Sequence, residues 1–307
     1  MPNQGIAYID GKVLDLSKAR IPLHDRGYLL GDGIFETLRT SNGKAFRLDD
    51  HAPRMKRGLG ATNLDESLES EFRDAVKALV KAGKPEFGGE LYVRVMVSTG
   101  PLEDLLDTGR GVTVTGLCKK FRPYPLQYYS NGIQLTVSRS RKDSRSPIAP
   151  IKTLSFLPYI MARREAHAAT VHDALLLNEN DRVAEASTSN VFALVDGTVH
   201  APGESEGAIP GVTRAAVLEL LQETGHDVDE RLPLAALRKA QEVWLTNTTG
   251  GIVPVTRFQD KPVGNGKKGD LTAQLSHALE AEIRGAKRPA AKPAVRRAAA
   301  KAAKRSR

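Results

Sequence analysis

The clearest polar–apolar rhythm in the chain is a strict alternation over Leu91–Ser98. Leu91, Val93, Val95 and Val97 fall on one side and Tyr92, Arg94, Met96 and Ser98 on the other, which predicts a strand with one aliphatic face. Helical spacing precedes it, with Leu68, Phe72, Val76, Leu79 and Val80 on one face. It returns at the far end, where Leu271, Leu275 and Leu279 predict a last helix over 271–283. Apolar runs predict further strands over 189–195 and 242–246, and the second domain begins with the stretch 132–137. After Gly211, Ala216, Leu220 and Leu221 share helical spacing, and Gly225 is the stop. Near the start, Asp10-Gly11 between two β-prone runs signals a hairpin.

Composition narrows the class. A chain of 307 residues with 40% hydrophobic content is long enough for two cores, and no internal repeat is visible. Phe121-Arg122-Pro123-Tyr124-Pro125, stiffened by two prolines, is the best linker candidate. We therefore divide the chain into a small domain over 1–122, a linker over 123–130, a large domain over 131–285 and a tail over 286–307. The net charge of +9 is confined to that tail: nine of the 45 basic residues lie from Lys287 onward, and the other 36 equal the 36 acids. Pro289, Pro293 and the lack of apolar periodicity predict a disordered basic tail. It is read as solvated, with loose counterion-release binding of polyanions or nucleic acid as the sharper expectation.

No run is long and apolar enough to span a bilayer, so no membrane partner is expected. The start MPNQGIAYIDGK lacks a basic-then-apolar leader pattern, and a cytoplasmic location is expected. Cys118 stands alone, which excludes an internal disulfide or a cysteine metal cluster; it reads as a core residue.

The candidate chemistry gathers in Glu185–Arg214. Glu185 opens it at the edge of the strand expected over 189–195. Gly211-Val212-Thr213 closes it where a helix begins, and free N–H groups there make a ready anion seat. An acid in one place and a phosphate seat in another suit a cofactor with a basic nitrogen and a phosphate. Pyridoxal phosphate has that shape and needs a lysine for covalent attachment. Lys152, among apolar and small residues just before the helix LPYIMARREAHAA, is the candidate.

These residues resemble the signature of the class IV, fold type IV, pyridoxal phosphate enzymes. That group holds branched-chain aminotransferases, D-amino-acid aminotransferases and aminodeoxychorismate lyases. The match runs through Glu185, Asn190, Val191 and Phe192, then Ile209, Gly211, Val212 and Arg214, and extends to about Arg284. Ala201 stands where the signature has Thr.

The resemblance implies an α+β fold of two domains: a smaller N-terminal α/β domain and a larger one with a β-barrel-like core. It implies Lys152 as the catalytic, cofactor-bearing lysine and Glu185 on the ring nitrogen. Arg54 of His51-x-x-Arg54, Val212, Thr213 and Thr248 would hold the phosphate. Phe35, Tyr92, Arg94 and Thr249 would form the substrate wall. No metal is implied, and a homodimer is the default.

For the reaction, Tyr92 and Arg94 favour a branched-chain-type aminotransferase using 2-oxoglutarate. Leu157 stands where many such enzymes have a tyrosine, and Thr37 matches a Thr of the lyases. The lyase loop with its Arg-Gly is replaced by Ser98-Thr99-Gly100-Pro101-Leu102, and the D-amino-acid enzymes' Arg and His on that loop are missing. Aminotransferase chemistry on small amino and 2-oxo acids is preferred; lyase and D-amino-acid transfer stay open.

Overall fold

In the computed structural model, which describes residues 4–104 and 111–287, the chain builds two β-sheets. The first contains β1 (Ile6–Ile9), β2 (Lys12–Asp15), β3 (Gly33–Ser41), β4 (Lys44–Ala45), β5 (Leu91–Ser98) and β6 (Thr113–Lys120). Their order is β2-β1-β6-β5-β3-β4, and α1 (Arg26–Leu30), α2 (Leu48–Ala61) and α3 (Leu68–Phe87) belong to the same half. The expected hairpin is present, with Asp10 and Gly11 at positive φ (44° and 82°), as a two-residue turn between twisted strands demands.

The alternation of β5 is resolved as expected. Leu91, Val93, Val95 and Val97 are fully buried in one core with Phe72, Val76 and Leu79 of α3. Each such side chain contributes about 1.5–3 kcal/mol by leaving water. Cys118 on β6 belongs to this core. Tyr92 and Arg94 are left on the opposite face, half-buried.

The second sheet contains β7 (Ile133–Lys142), β8 (Asp173–Asn178), β9 (Val183–Ala186), β10 (Asn190–Val195), β11 (Thr198–His200), β12 (Val228–Asp229), β13 (Glu242–Asn247), β14 (Gly251–Phe258) and β15 (Lys261–Pro262). They run in the order β12-β11-β10-β13-β14-β7-β8-β9, with β15 beside β14. Helices α4 (Leu126–Ser130), α5 (Leu157–Ala168), α6 (Val212–Glu223), α7 (Leu234–Leu237) and α8 (Asp270–Ile283) accompany it.

Strand β9 lies at the far end of this path from β10, yet only residues 187–189 separate them, and Ala186 N donates to Ser189 O (2.8 Å). That link wraps β10-β13-β14-β7-β8-β9 into a barrel-like form. Leu135, Leu175, Val183, Val191, Leu245 and Val253 share the inner core. Their neighbours Phe192, Trp244 and Ile252 point outward into a core with α6 and α8, while Ala174 and Leu176 pack with Ala162 and Ala166 of α5. Burial on both faces is why β8 reads as an unbroken apolar run rather than an alternation.

One expectation needs correction. Glu185 is not at the edge of the strand over 189–195 but inside β9, a separate strand paired with β8. The stretch 123–130 includes α4, and residues 121–125 join β6 to that helix without regular structure. The basic tail from 288 onward and residues 105–110 of the loop after β5 lie outside the described residues.

Candidate active site

Lys152 is carried on the irregular segment between β7 and α5, and that segment is fastened to β3. Phe35 N donates to Lys152 O (2.9 Å), Leu154 N donates to Gly33 O (2.8 Å), and Ile34 bridges to Thr153. Gly33 suits this crowded place: its φ is 156°, and a Cβ there would run into Val97 O of β5 and meet the Leu154 side chain of the Lys152 segment. The fastening brings Lys152 to the junction of the two sheets, with Nζ 4.3 Å from the Phe35 ring centroid. Burial and then the Arg54 charge lower the Lys152 pKa to about 8, against the opposing pull of Glu36 and Glu185.

All the site residues expected from the sequence line one cavity of about 410 Å³: Phe35, Arg54, Tyr92, Arg94, Lys152, Glu185, Val212, Thr213, Thr248 and Thr249. They come from β3, α2, β5, the Lys152 segment, β9, the start of α6 and the β13–β14 turn. No local motif joins them; the packing of the two halves does.

Glu185 is 4% exposed. Its Oε1 accepts from Lys142 Nζ (2.7 Å) and the Tyr159 hydroxyl (2.9 Å), and its Oε2 from Ile209 N (3.2 Å). A carboxylate has about four acceptor positions, so one remains for a further donor. Burial, and then the Glu185 charge, push the Tyr159 hydroxyl pKa up, so it stays a donor.

At the other end, Gly211 caps α6 with no side chain over the first-turn N–H groups of Val212 and Thr213. Asn190 explains the glycine. Its Nδ2 donates to Ile209 O (2.8 Å), and a Cβ on residue 211 would collide with its Oδ1. Asn190 thus shapes the anion seat from behind.

Arg54 reaches the same seat. Its Nη1 donates to Pro210 O (2.7 Å), while Nε and Nη2 grip both oxygens of Glu36 (2.7 and 2.6 Å). Three of five guanidinium N–H groups are thereby used, and two remain for an anion. Burial alone would raise the Glu36 pKa, but Arg54 and His51, whose Nδ1 is 2.7 Å from Glu36 Oε2, bring it down to about 2.

On the substrate side, Arg94 Cζ lies 3.7 Å above the Phe35 ring, and its buried Nε has no partner. Thr249 lines the cavity, but its N–H is donated to Asn247 Oδ1 (3.0 Å). Thr246 also lines the cavity, with Oγ1 buried and unpartnered.

Lys142, Tyr159, Glu36 and Thr246 were missed from the sequence. Leu157 is 64% exposed, and the tyrosine that this helix sends into the cavity is Tyr159, two residues further along. The only signal for it was its place on the predicted helix after Lys152.

Residues 33–258 match the family model for amino-transferase class IV, and the chain belongs to that family. It is 29% identical to a D-alanine aminotransferase of Bacillus licheniformis over 89% of this chain and 95% of that one. It is also 29% identical to a putative branched-chain-amino-acid aminotransferase of Methanocaldococcus jannaschii, over 89% and 94%. The fold is similar to the branched-chain amino acid aminotransferase of Escherichia coli, with TM-score 0.82, 20% identity and coverage of 92% and 95%. It is likewise similar to the T.th. branched-chain amino acid aminotransferase solved with pyridoxamine 5'-phosphate, with TM-score 0.83, 22% identity and the same coverage. The protein is thus a class IV aminotransferase of fold type IV, a family of pyridoxal-phosphate-dependent transaminases.

Proposed function

We propose that this enzyme moves an amino group between a branched-chain amino acid and 2-oxoglutarate, with Lys152 and Glu185 acting on bound pyridoxal phosphate. The carrying observation is that Lys152, Glu185, the start of α6 and the Tyr92–Arg94 wall all face one cavity. The residues suit that cofactor. An acceptor position on Glu185, two free guanidinium N–H groups on Arg54, and the orphaned Thr246 hydroxyl all await a polar ligand.

Bound there, pyridoxal phosphate supplies an aldehyde for the incoming amine and a ring that withdraws electrons from the reacting carbon. The protein's own residues do the rest. Lys152, with its lowered pKa, has a neutral fraction at neutral pH and moves the proton on and off the substrate Cα. Glu185, fixed by three donors, holds the ring nitrogen; Arg54, Val212 N–H, Thr213 and Thr248 hold the phosphate. Phe35 and Tyr92 shape the wall, Arg94 pairs with a side-chain carboxylate, and Thr249 borders the carboxylate end. Transfer then proceeds in two half-reactions, one per 2-oxo acid. A homodimer in the cytoplasm is our reading of its state.

Likeness to D-alanine aminotransferases supports a second reading, in which the donor is a D-amino acid. A panel of L- and D-amino acids with 2-oxoglutarate, scored for 2-oxo acid and for the chirality of the glutamate formed, separates the two. Arg94→Ala should weaken 2-oxoglutarate by about 1.5–3 kcal/mol relative to a branched-chain 2-oxo acid. Pyruvate release from aminodeoxychorismate without any amino acceptor would replace both readings with the lyase.

A further inference from the structure

A second cavity, of about 640 Å³, adjoins the first and shares Tyr92, Tyr124 and Thr249 with it. Besides Gln4, its remaining wall is aromatic and basic: Phe87 and Phe121 on one hand, Lys119, Lys120 and Arg122 on the other. The register of the first sheet explains the joining. Tyr92 pairs directly with Lys119, so both side chains leave the same sheet face, the face that carries Arg94. Lys119 therefore carries a cation along this face beyond the site; Lys120, paired with Leu91, leaves the other face at the strand's end, and Arg122 follows the strand.

These cations are differently employed. The Arg39 guanidinium lies 4.4 Å from the Phe121 ring centroid and meets Glu280 (3.3 Å) and Glu90 (3.9 Å), so it is a structural brace for that ring. Lys119, Lys120 and Arg122 make no ion pair among the described residues, although all three border one concave space. Three unpaired cations beside aromatic walls suit an anion on an apolar arm.

We propose that this second cavity is a distal anion subsite that admits amino and 2-oxo acids whose side chain ends in a carboxylate beyond the length of glutamate. The inference rests on the reading of the first cavity as the reaction site. A short dicarboxylate meets Arg94 inside that cavity. A longer arm passes Tyr92 and Tyr124, lies along Phe87 and Phe121, and brings its carboxylate to Lys119, Lys120 and Arg122. The transfer chemistry at Lys152 is unchanged, and only the range of side chains is widened.

The test compares the wild-type holoenzyme with K119Q/K120Q/R122Q and with the charge-keeping K119R/K120R/R122K. Calorimetry with pimelate, a non-reacting dicarboxylate, should show about tenfold weaker binding to the first variant, the combined worth of three exposed ion pairs. The second variant should bind as the wild type does, and added salt should weaken both. In turnover, KM for 2-oxopimelate should rise about as much, while KM for the uncharged 2-oxoheptanoate moves less than about twofold. Equal pimelate binding by wild type and the neutral variant would overturn the subsite, as would an equal loss for 2-oxoheptanoate. If the wild type transferred no amino group to any acceptor, the proposed function would fall, and pimelate binding would still decide the subsite.

Discussion

Lys142 Nζ stands 2.7 Å from Glu185 Oε1, and both side chains are more than nine-tenths buried. The lysine also donates to Ala149 O (2.8 Å) and meets the Tyr159 hydroxyl at 2.5 Å, so each of its three N–H groups has an acceptor. Two lysines thus converge on the centre from opposite roles. Lys142 is fully satisfied and holds a carboxylate in place; Lys152 lies against aromatic rings with a lowered pKa.

Lys142→Met should therefore strand a buried carboxylate. The expected cost is about 3–5 kcal/mol, typical of removing one partner from a buried pair. Urea unfolding measures it, and Lys142→Arg should recover most of the loss by restoring charge and donors. A Lys142→Met protein as stable as the wild type would mean that Glu185 draws little from this pair.

Glu185→Gln keeps the shape but removes the negative charge. Cofactor should still be retained, as read from visible absorbance, while turnover falls about 10²-fold or more, the size of a lost preorganised electrostatic partner. Wild-type turnover in this variant would assign the ring nitrogen to another group.

Lys152 should label at unusually low pH. In cofactor-free protein, acylation of this amine should rise with a midpoint near pH 8, where its proton is lost. Exposed lysines titrate near their ordinary value of about 10.4. Peptide mapping across a pH series gives both curves. With cofactor present, borohydride should fix it to the peptide carrying Lys152 and to no other.

Acid should loosen the Arg54 seat in two stages. His51 is buried and its pKa is lowered, chiefly by desolvation, so below its ordinary value of 6.5 the unfolded chain takes up the proton first and stability falls. Glu36 has its folded pKa depressed from 4.5 to about 2, so its contribution is present above the unfolded value and is lost as pH falls through that window. Unfolding free energies measured from pH 7 to 2 should show both declines. Glu36→Gln should remove the lower one, at a cost of about 3–5 kcal/mol at neutral pH.

Glycine, proline and periodicity act locally, and what they encode was legible by inspection. The Asp10-Gly11 hairpin, the two faces of β5, helix α3 and the start of α6 at Gly211 all follow from short-range sterics and from which side must leave water. The cofactor signature was legible for a related reason, since an anion seat at a helix start and an acid before Asn190-Val191-Phe192 are short segments with fixed spacing. Lys142 and Tyr159 carried no such mark. A lysine at the end of a strand and a tyrosine on a helix are ordinary until β7, β9 and α5 pack and leave them sharing one buried carboxylate oxygen. Glu36 likewise became legible only when α2 brought Arg54 and His51 against β3. Burial sets the worth of these charges, and burial is a property of the assembled sheets rather than of any stretch of the chain.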